Sequence, residues 1–189
     1  LESIKHEVDK KKIVVAPTGI AALNIGGTTI NSAFRIGFDT IPKVNKSEDP
    51  TFRKLLKNLE LLVIDEISMV RAPMLDAISQ SLQIHRKSNK PFGGIDVIVC
   101  GDLFQLPPVV KQNEEDAIYA KYDSVYFFDA FSFKDIEGKI FYELNESFRQ
   151  EEDQRFCELL NNIRIGQDLE STINQINSNC FDPTLESDF

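Results

Sequence analysis

The residues best suited to chemistry are Asp65 and Glu66, two adjacent acids that end the apolar run Leu61–Ile64. A short run that is apolar at every position predicts a strand buried on both faces of a parallel sheet. Ligands of such sheets bind outside the carboxyl ends of the strands. There, one acid can hold a divalent metal beside phosphates while the other activates a water molecule, as phosphoryl transfer requires. The alternative is that Asp65 or Ser68 only caps the following helix.

Three more apolar runs end in polar or glycine-containing clusters. The runs cover residues 13–16, 95–100 and 140–144, and the clusters that follow them cover residues 17–19, 101–105 and 145–150. Because helical patterns separate the runs, we expect an α/β fold with a mainly parallel sheet and helices on both faces. All four clusters would then share one edge of the sheet and form a site. Residues 125–128 are a further strand candidate, and residues 28–49 are expected to be loop and short helix.

The four clusters could divide the work of nucleoside triphosphate hydrolysis. Asp65 would hold Mg²⁺, through water because this ion keeps much of its hydration shell, and Glu66 would orient and deprotonate the attacking water. Gln105 could sense the γ-phosphate, since an amide donates to phosphate oxygen and accepts from water. Arg149 could neutralise charge on the transferred phosphoryl group. The alternatives are that Gln105 is an ordinary loop amide and that Arg149 forms a surface ion pair with a neighbouring glutamate.

Composition narrows the protein class more than the function. The 189 residues fit one domain with its own core, and no apolar run approaches the ~20 residues of a membrane span; the sequence opening also lacks a signal-peptide pattern. Three scattered cysteines indicate reduced thiols rather than a disulfide or metal framework. The formal charge of −9 argues against a broad basic nucleic-acid face. It leaves room for a narrow groove that uses backbone amides, a few bases and aromatic stacking.

One motif is absent. The sequence contains no G-x-x-x-x-G-K-[ST], the loop and lysine that cradle the β- and γ-phosphates. The first residues have the pattern of a helix that feeds the apolar run 13–16, and in P-loop enzymes this helix follows the phosphate loop directly. The simplest expectation is that the phosphate loop lies upstream of the sequence. The alternative is a degenerate domain that has lost it.

These motifs resemble those of the petite-integration-frequency (Pif) helicases, superfamily-one 5′-to-3′ DNA helicases related to RecD. The resemblance covers roughly residues 10–166 and is most specific between Asp65 and Val109. The segments that carry it read APTGIAALNIGGTTINSAF, VIDEISMVRAPMLDAI, PFGGIDVIVCGDLFQLPPV, YELNESFRQ and LLNNIRIG.

The resemblance implies a RecA-like P-loop NTPase lobe with ATP and Mg²⁺ as cofactors. Residues 1–166 would form part of the first such lobe, and residues 167–189 a helical segment that leads toward a second lobe. By position, Asp65 corresponds to the magnesium aspartate and Glu66 to the catalytic glutamate. Gln105 corresponds to the γ-phosphate-sensing glutamine and Arg149 to the arginine after the fourth strand.

The resemblance also implies a contact with single-stranded DNA. The corresponding residues are Pro17, Thr18, Gly19, Asn31, Ser32 and Phe34. Asn31 stands where the family usually has histidine, and Ala33 replaces an aromatic residue, so the detailed DNA contact differs from the family pattern. Phe34 could stack on a base, whereas without the resemblance it would be counted as core.

The sequence therefore favours part of an ATP-dependent DNA helicase that acts on single-stranded DNA and duplex junctions in repair, replication or recombination. By itself the segment is expected to be inactive. The alternatives are a non-catalytic nucleic-acid-binding module descended from such a lobe and a related ATPase that acts on RNA or within a nuclease complex. No membrane association is expected. The expected compartment is the cytoplasm for a bacterial chain, and the nucleus or mitochondrion for a eukaryotic one.

Overall fold

The computed structural model of the chain describes residues 10–144 and 154–180. The chain forms two compact units, Leu1–Lys139 and Ile140–Phe189. This division falls earlier in the chain than the predicted one between residues 166 and 167, which concerns the extent of the lobe in the whole protein and stays a prediction.

The first unit is built on a four-stranded parallel sheet. Its strands are β1 (Lys12–Ala16), β2 (Thr28–Thr29), β3 (Leu61–Ile64) and β4 (Asp96–Val99), and their order across the sheet is β2-β1-β3-β4. The register pairs Val15 with Ile64 and Ile64 with Val99, so β1, β3 and β4 end at one level. The predicted α/β class with a parallel sheet is confirmed. The three predicted clusters that follow β1, β3 and β4 lie at its carboxyl edge.

Helices connect and follow the strands. They are α1 (Gly19–Asn24), α2 (Ile30–Phe34), α3 (Pro50–Asn58), α4 (Ala72–Arg86), α5 (Gln112–Tyr119), α6 (Phe131–Lys134), α7 (Gln154–Ile165) and α8 (Leu169–Cys180). Short 3₁₀ turns cover Ile67–Met69, Pro91–Gly94 and Phe127–Asp129. Within the described ranges, none of these helices has both the length and the apolar character to cross a membrane.

The core explains why the β3 sequence is apolar at every position. All four β3 residues are buried, as expected for a strand with neighbours on both sides and side chains packed above and below. The helix α4 contributes Leu75, Ile78 and Leu82, which are fully buried at helical spacing. Its N-terminal Pro73 occupies the first turn, where a missing backbone N–H costs no helical hydrogen bond.

Two of the predicted strands are wrong. Residues 125–128 instead lead into the turn Phe127–Asp129, and Tyr126 makes an isolated bridge to Arg71. The rings of Phe127 and Phe128, which are neighbours in the chain, make a T-shaped contact with centroids 5.5 Å apart, so these side chains do not point to opposite faces as in a strand. Residues 140–144 also lack regular structure. Their apolar side chains are exposed, Leu144 by 93%, and no strand among the described residues pairs with them.

The second unit contains α7 and α8, and α8 lies within the segment 167–189 that was predicted to be helical. Gly166 adopts a φ of +70° directly after α7, the left-handed conformation that ends many helices. Side-chain hydrogen bonds join the two helices: Asn162 Nδ2 donates to Thr172 Oγ1 at 3.3 Å, and Arg155 donates to Gln175 Oε1 at 3.2 Å.

Gly27 permits the close approach of β1 and the chain that enters β2. A Cβ atom at this position would lie 2.5 Å from the carbonyl oxygen of Val14, a contact that only a backbone shift relieves. We expect Gly27→Ala to lower the free energy of unfolding by about 1–3 kcal/mol, the usual cost of overpacking. Chemical denaturation measures this change. Gly19→Ala is the matched control, because no atom lies within 4 Å of a Cβ there; equal stability of the two variants would contradict the prediction.

Candidate active site

The acid pair lies where β3 ends at the carboxyl edge of the sheet. The Asp65 amide donates to the Val15 carbonyl oxygen at 2.9 Å, which extends the β1–β3 pairing by one residue. Both acids are half-buried. Glu66 is in the left-handed region with φ 50° and ψ 44°, where a residue with a side chain is uncommon. Such backbone outliers cluster at functional sites, because the surrounding structure holds them there to aim a side chain.

The turn after Glu66 is held against the end of β4. The Ile67 amide donates to the Cys100 carbonyl oxygen at 2.9 Å, and the Cys100 amide donates to Ile64 at the same distance. Gly101 makes this contact possible: a Cβ on it would lie 2.9 Å from Ile67 Cγ2 and 3.0 Å from the Ile67 amide nitrogen. The loops after β3 and β4 are therefore packed backbone to backbone.

Cys100 lies in this contact as a half-buried free thiol. Burial raises the pKa of the Cys100 thiol, and the negative charge of Asp65 raises it further. The thiol therefore stays protonated and neutral at physiological pH. It adds no negative charge beside Asp65 and does not act as a nucleophile.

Gln105 lies in the exposed loop that follows β4. Its Nε2 donates to Asp102 Oδ2 at 3.1 Å, and its backbone amide donates to the Asp102 carbonyl oxygen at 3.1 Å. Asp102 Oδ1 also accepts from the Phe104 amide at 3.0 Å. Asp102 thus organises the loop and holds the Gln105 amide, and this role was not predicted. The Gly-Asp pair directly after the apolar run was the available sequence signal, since aspartate commonly organises turns in this way.

The predicted DNA-contact residues surround the ends of β1 and β2. Pro17 is half-buried and Gly19 is exposed, while Thr18 caps α1 by accepting from the Ala21 amide at 3.2 Å. Ser32 is exposed on the first turn of α2, and its Oγ accepts from Thr29 Oγ1 at 2.9 Å.

Asn31 and Phe34 have structural contacts within the same segment. The Asn31 side-chain amide donates to the carbonyl oxygens of Ile36 and Gly37 at 3.0 and 3.3 Å and so fixes the turn that ends α2. Phe34 is 2% exposed and belongs to the hydrophobic core. The structure therefore does not support the predicted base stacking by Phe34, because a buried ring has no free face. Its apolar surface is instead used to pack α2 against the sheet.

The strand order brings most of the predicted residues to one edge. Neighbouring strands lie about 4.8 Å apart, and β3 lies between β1 and β4, so the acid pair is flanked by residues 17–19 on one side and by residues 100–102 on the other. Arg149 lies outside the described residues, as does the whole cluster 145–150.

The arrangement at β3 fits the coordination that Mg²⁺ prefers. No group of three or more histidine, cysteine or acidic side chains among the described residues could hold a metal. Mg²⁺ in nucleotide sites is bound by one or two carboxylates, several waters and the substrate phosphates, not by a cage of protein ligands. A half-buried carboxylate at a strand end, with a second one beside it, provides that kind of ligand.

The comparisons with known proteins agree with one another. Residues 1–174 match the family of PIF1-like helicases. The ATP-dependent DNA helicase PIF1 of Candida albicans is 36% identical over 173 residues, which cover 88% of this chain and 19% of that protein. The human ATP-dependent DNA helicase PIF1 is 38% identical over 158 residues, 82% of this chain and 23% of that protein.

A solved structure shows the same fold. The Pif1 helicase from Bacteroides in complex with ADP-AlF3 and ssDNA has a TM-score of 0.83 and 43% sequence identity, and the match covers 90% of this chain and 40% of that one. This chain thus spans about a fifth of the length of the two curated relatives. The chain belongs to the PIF1-like helicase family.

Proposed function

We propose that the chain is part of the first RecA-like lobe of an ATP-dependent DNA helicase that moves along single-stranded DNA and unwinds duplexes. The observation that carries this proposal is the half-exposed pair Asp65 and Glu66, with Glu66 in a strained backbone conformation, at the carboxyl edge of the sheet. A module that only bound nucleic acid would have no use for that strain, which costs of order 1–3 kcal/mol.

ATP hydrolysis assigns separate tasks to the acids. Bound Mg²⁺ would supply positive charge beside the β- and γ-phosphates. Asp65 would hold the ion through water, and Glu66 would orient the attacking water and accept its proton. The nucleotide analogue in the Bacteroides Pif1 complex supports ATP as the ligand for this chain, because the two structures share the fold at 43% identity.

Gln105 and Arg149 would act at the γ-phosphate. For Gln105 this requires its amide to exchange Asp102 for a phosphate oxygen, a change that the exposed position of Gln105 in its loop permits. Arg149 would stabilise charge on the transferred phosphoryl group. The exchange at Asp102 would let the loop after β4 report the presence of the γ-phosphate to the packed loop after β3.

Single-stranded DNA would bind beside β1 and β2. Pro17, Thr18, Gly19 and Ser32 present accessible polar and backbone groups on that half of the edge. Asn31 would contribute to DNA binding by fixing the turn that ends α2. Phe34 would hold this segment in place by packing in the hydrophobic core. The Bacteroides Pif1 complex with ssDNA supports single-stranded DNA as a ligand of this chain. Since β1 and β3 are neighbours, the DNA and the nucleotide would bind at adjacent strand ends. A second RecA-like lobe would complete the protein side of the site, and duplex junctions would be part of the DNA substrate.

The test is ATP hydrolysis by the full-length protein, measured alone, with single-stranded DNA and with RNA of the same sequence. We expect single-stranded DNA to raise the rate at least about tenfold, equivalent to about 1.4 kcal/mol of barrier, and RNA to raise it far less. Stimulation by RNA alone would favour the RNA-dependent relative, whereas a well-folded protein without hydrolysis would favour the non-catalytic module. The expected compartment follows the DNA: the bacterial cytoplasm, or the nucleus or mitochondrion of a eukaryote.

A further inference from the structure

The amino edge of the sheet, opposite the acid pair, is tied together by hydrogen bonds. The Glu60 amide donates to the Lys11 carbonyl oxygen at 2.8 Å, and the Asp96 amide donates to that of Glu60 at 3.2 Å. These bonds join the starts of β1, β3 and β4. Arg86, the last residue of α4, donates to the Lys57 carbonyl oxygen at 2.7 Å and so brings the ends of α3 and α4 to the same edge.

This edge is basic although the chain as a whole carries a formal charge of −9. Four exposed lysines define it, and we call them the basic edge: Lys11, Lys57, Lys87 and Lys90. The two exposed carboxylates that the same hydrogen bonds bring there already have partners. Glu60 accepts from the Lys11 backbone amide at 2.9 Å, and Asp96 pairs with Lys10. Within residues 10–144, the lysine charges of the basic edge therefore exceed the charge of these two carboxylates.

The segments that carry these lysines are held in place. Arg86 Nε donates to the Gly93 carbonyl oxygen at 3.1 Å. Gln83 Nε2 donates to the carbonyl oxygens of Asn89 and Lys90 at 3.2 Å each. The loop with Lys87 and Lys90 is thereby fixed to α4 and, through Arg86, to the end of α3. Fixed backbones reduce the entropy that the surface loses when it binds a partner with a regular charge spacing.

The aromatic residues of the same elements are buried. Phe52 on α3 and Phe92 beside Lys90 are 7% and 2% exposed. Single-stranded nucleic acid is held by a basic groove together with aromatic rings on which the bases stack. Lysines without exposed rings provide only phosphate contacts, which position a duplex without reading its bases.

We propose that the basic edge binds the phosphate backbone of the duplex portion of the DNA substrate, while the carboxyl edge binds ATP and the single strand. This inference rests on the proposed function, since it assigns a second contact to the same DNA substrate. The amino and carboxyl edges of the sheet would then bind different parts of the DNA substrate.

The experiment compares the full-length protein with Lys57→Gln, Lys87→Gln, Lys90→Gln and the triple variant. Lys121→Gln is the one-charge control, since Lys121 lies on the surface over the Tyr122 ring, away from the hydrogen bonds described above. Dissociation constants are measured over a range of salt concentrations for two DNAs: a single strand, and the same strand as the tail of a partial duplex. Thermal unfolding confirms that each variant is folded.

For the triple variant we expect roughly tenfold weaker binding of the partial duplex, with the slope of log affinity against log salt reduced by about one per lysine. Binding of the single strand, and ATP hydrolysis stimulated by it, should equal those of the unmodified protein. Equal loss of affinity for both DNAs would overturn the proposal in favour of a single-strand contact. Unchanged affinity for both would also overturn it and favour an acidic protein as partner. In either case, retained DNA-stimulated hydrolysis would leave the proposed function standing.

Discussion

Glu66→Gln is expected to abolish DNA-stimulated ATP hydrolysis by the full-length protein, with a loss of about 10²- to 10⁴-fold in kcat. The amide has nearly the same size as the carboxylate but does not accept the proton of the attacking water. Glu66 is half-exposed at the strand end, and the Ile67–Cys100 hydrogen bond fixes the turn that directly follows its left-handed backbone conformation. Steady-state hydrolysis with saturating single-stranded DNA measures the effect.

Two further measurements make this result specific. Binding of ATP to the Glu66→Gln variant should be retained, because the carboxylate acts on the water and not on the nucleotide. Glu115→Gln, an exposed glutamate of α5, is the matched control and should hydrolyse ATP as the unmodified protein does. Hydrolysis at an unchanged rate in Glu66→Gln would assign the general base to another residue and contradict our account of the site.

Arg86→Met is expected to produce the largest loss of stability. The guanidinium donates from Nη1 to the carbonyl oxygens of Leu56, Lys57 and Leu59 at 3.2, 2.7 and 2.8 Å, and from Nε to that of Gly93 at 3.1 Å. It therefore satisfies the carbonyl groups that the end of α3 leaves without helical partners. Hydrogen bonds to charged groups contribute about 1.5–3 kcal/mol. Since Arg86 is half-buried, we expect a total loss of about 3 kcal/mol.

Thermal unfolding provides the measurement for Arg86. In a protein of this size a loss of about 3 kcal/mol lowers Tm by roughly 6–12 °C. The Tm of Arg86→Lys should lie between those of the unmodified protein and Arg86→Met, because an ammonium group keeps the charge but lacks the planar guanidinium that reaches several carbonyls. Arg53→Met removes another half-buried arginine, on α3, and is the matched control, with a shift close to zero. Similar shifts for the two Met variants would show that the carbonyl contacts do not matter.

The two sets of experiments address opposite ends of the same sheet. At the carboxyl edge, Gly101 allows the loop after β3, which carries Glu66, to pack against the loop after β4, which carries Gln105. At the amino edge, Arg86 fixes the elements that carry the basic edge. Glu66→Gln should therefore remove hydrolysis without changing stability, and the lysine variants should change duplex binding without changing hydrolysis. Arg86→Met alone should affect both stability and the basic edge.

Several features were predictable from the sequence because they depend on local composition. The uniform apolar run before Asp65 required a strand buried on both sides, and the alternation of such runs with helical patterns required a parallel sheet. In any parallel sheet the residues after each strand meet at the carboxyl edge, so the grouping of Asp65, Gly101 and residues 17–19 follows from the sequence alone. The roles of the site residues were predicted from the family motifs.

Other features depended on contacts between residues distant in the sequence, which no local pattern contains. A mostly apolar segment forms a strand only if a partner strand is present, so residues 140–144 were assigned wrongly and Thr28–Thr29 was missed. The burial of Phe34 was likewise decided by the packing of α2 on the sheet, not by its neighbours in the chain.

The basic edge shows the same difference for charge. Net charge is a sum over the sequence and indicated an acidic protein, whereas binding depends on where the charges lie. Lys11 and Lys90 are far apart in the chain, and only the parallel register of β1, β3 and β4, with Arg86 linking two helix ends, brings their segments to one edge. The sequence by itself determined the fold class, the acid pair and the family. The tertiary structure alone decided which surfaces those residues form, because surfaces arise from long-range contacts.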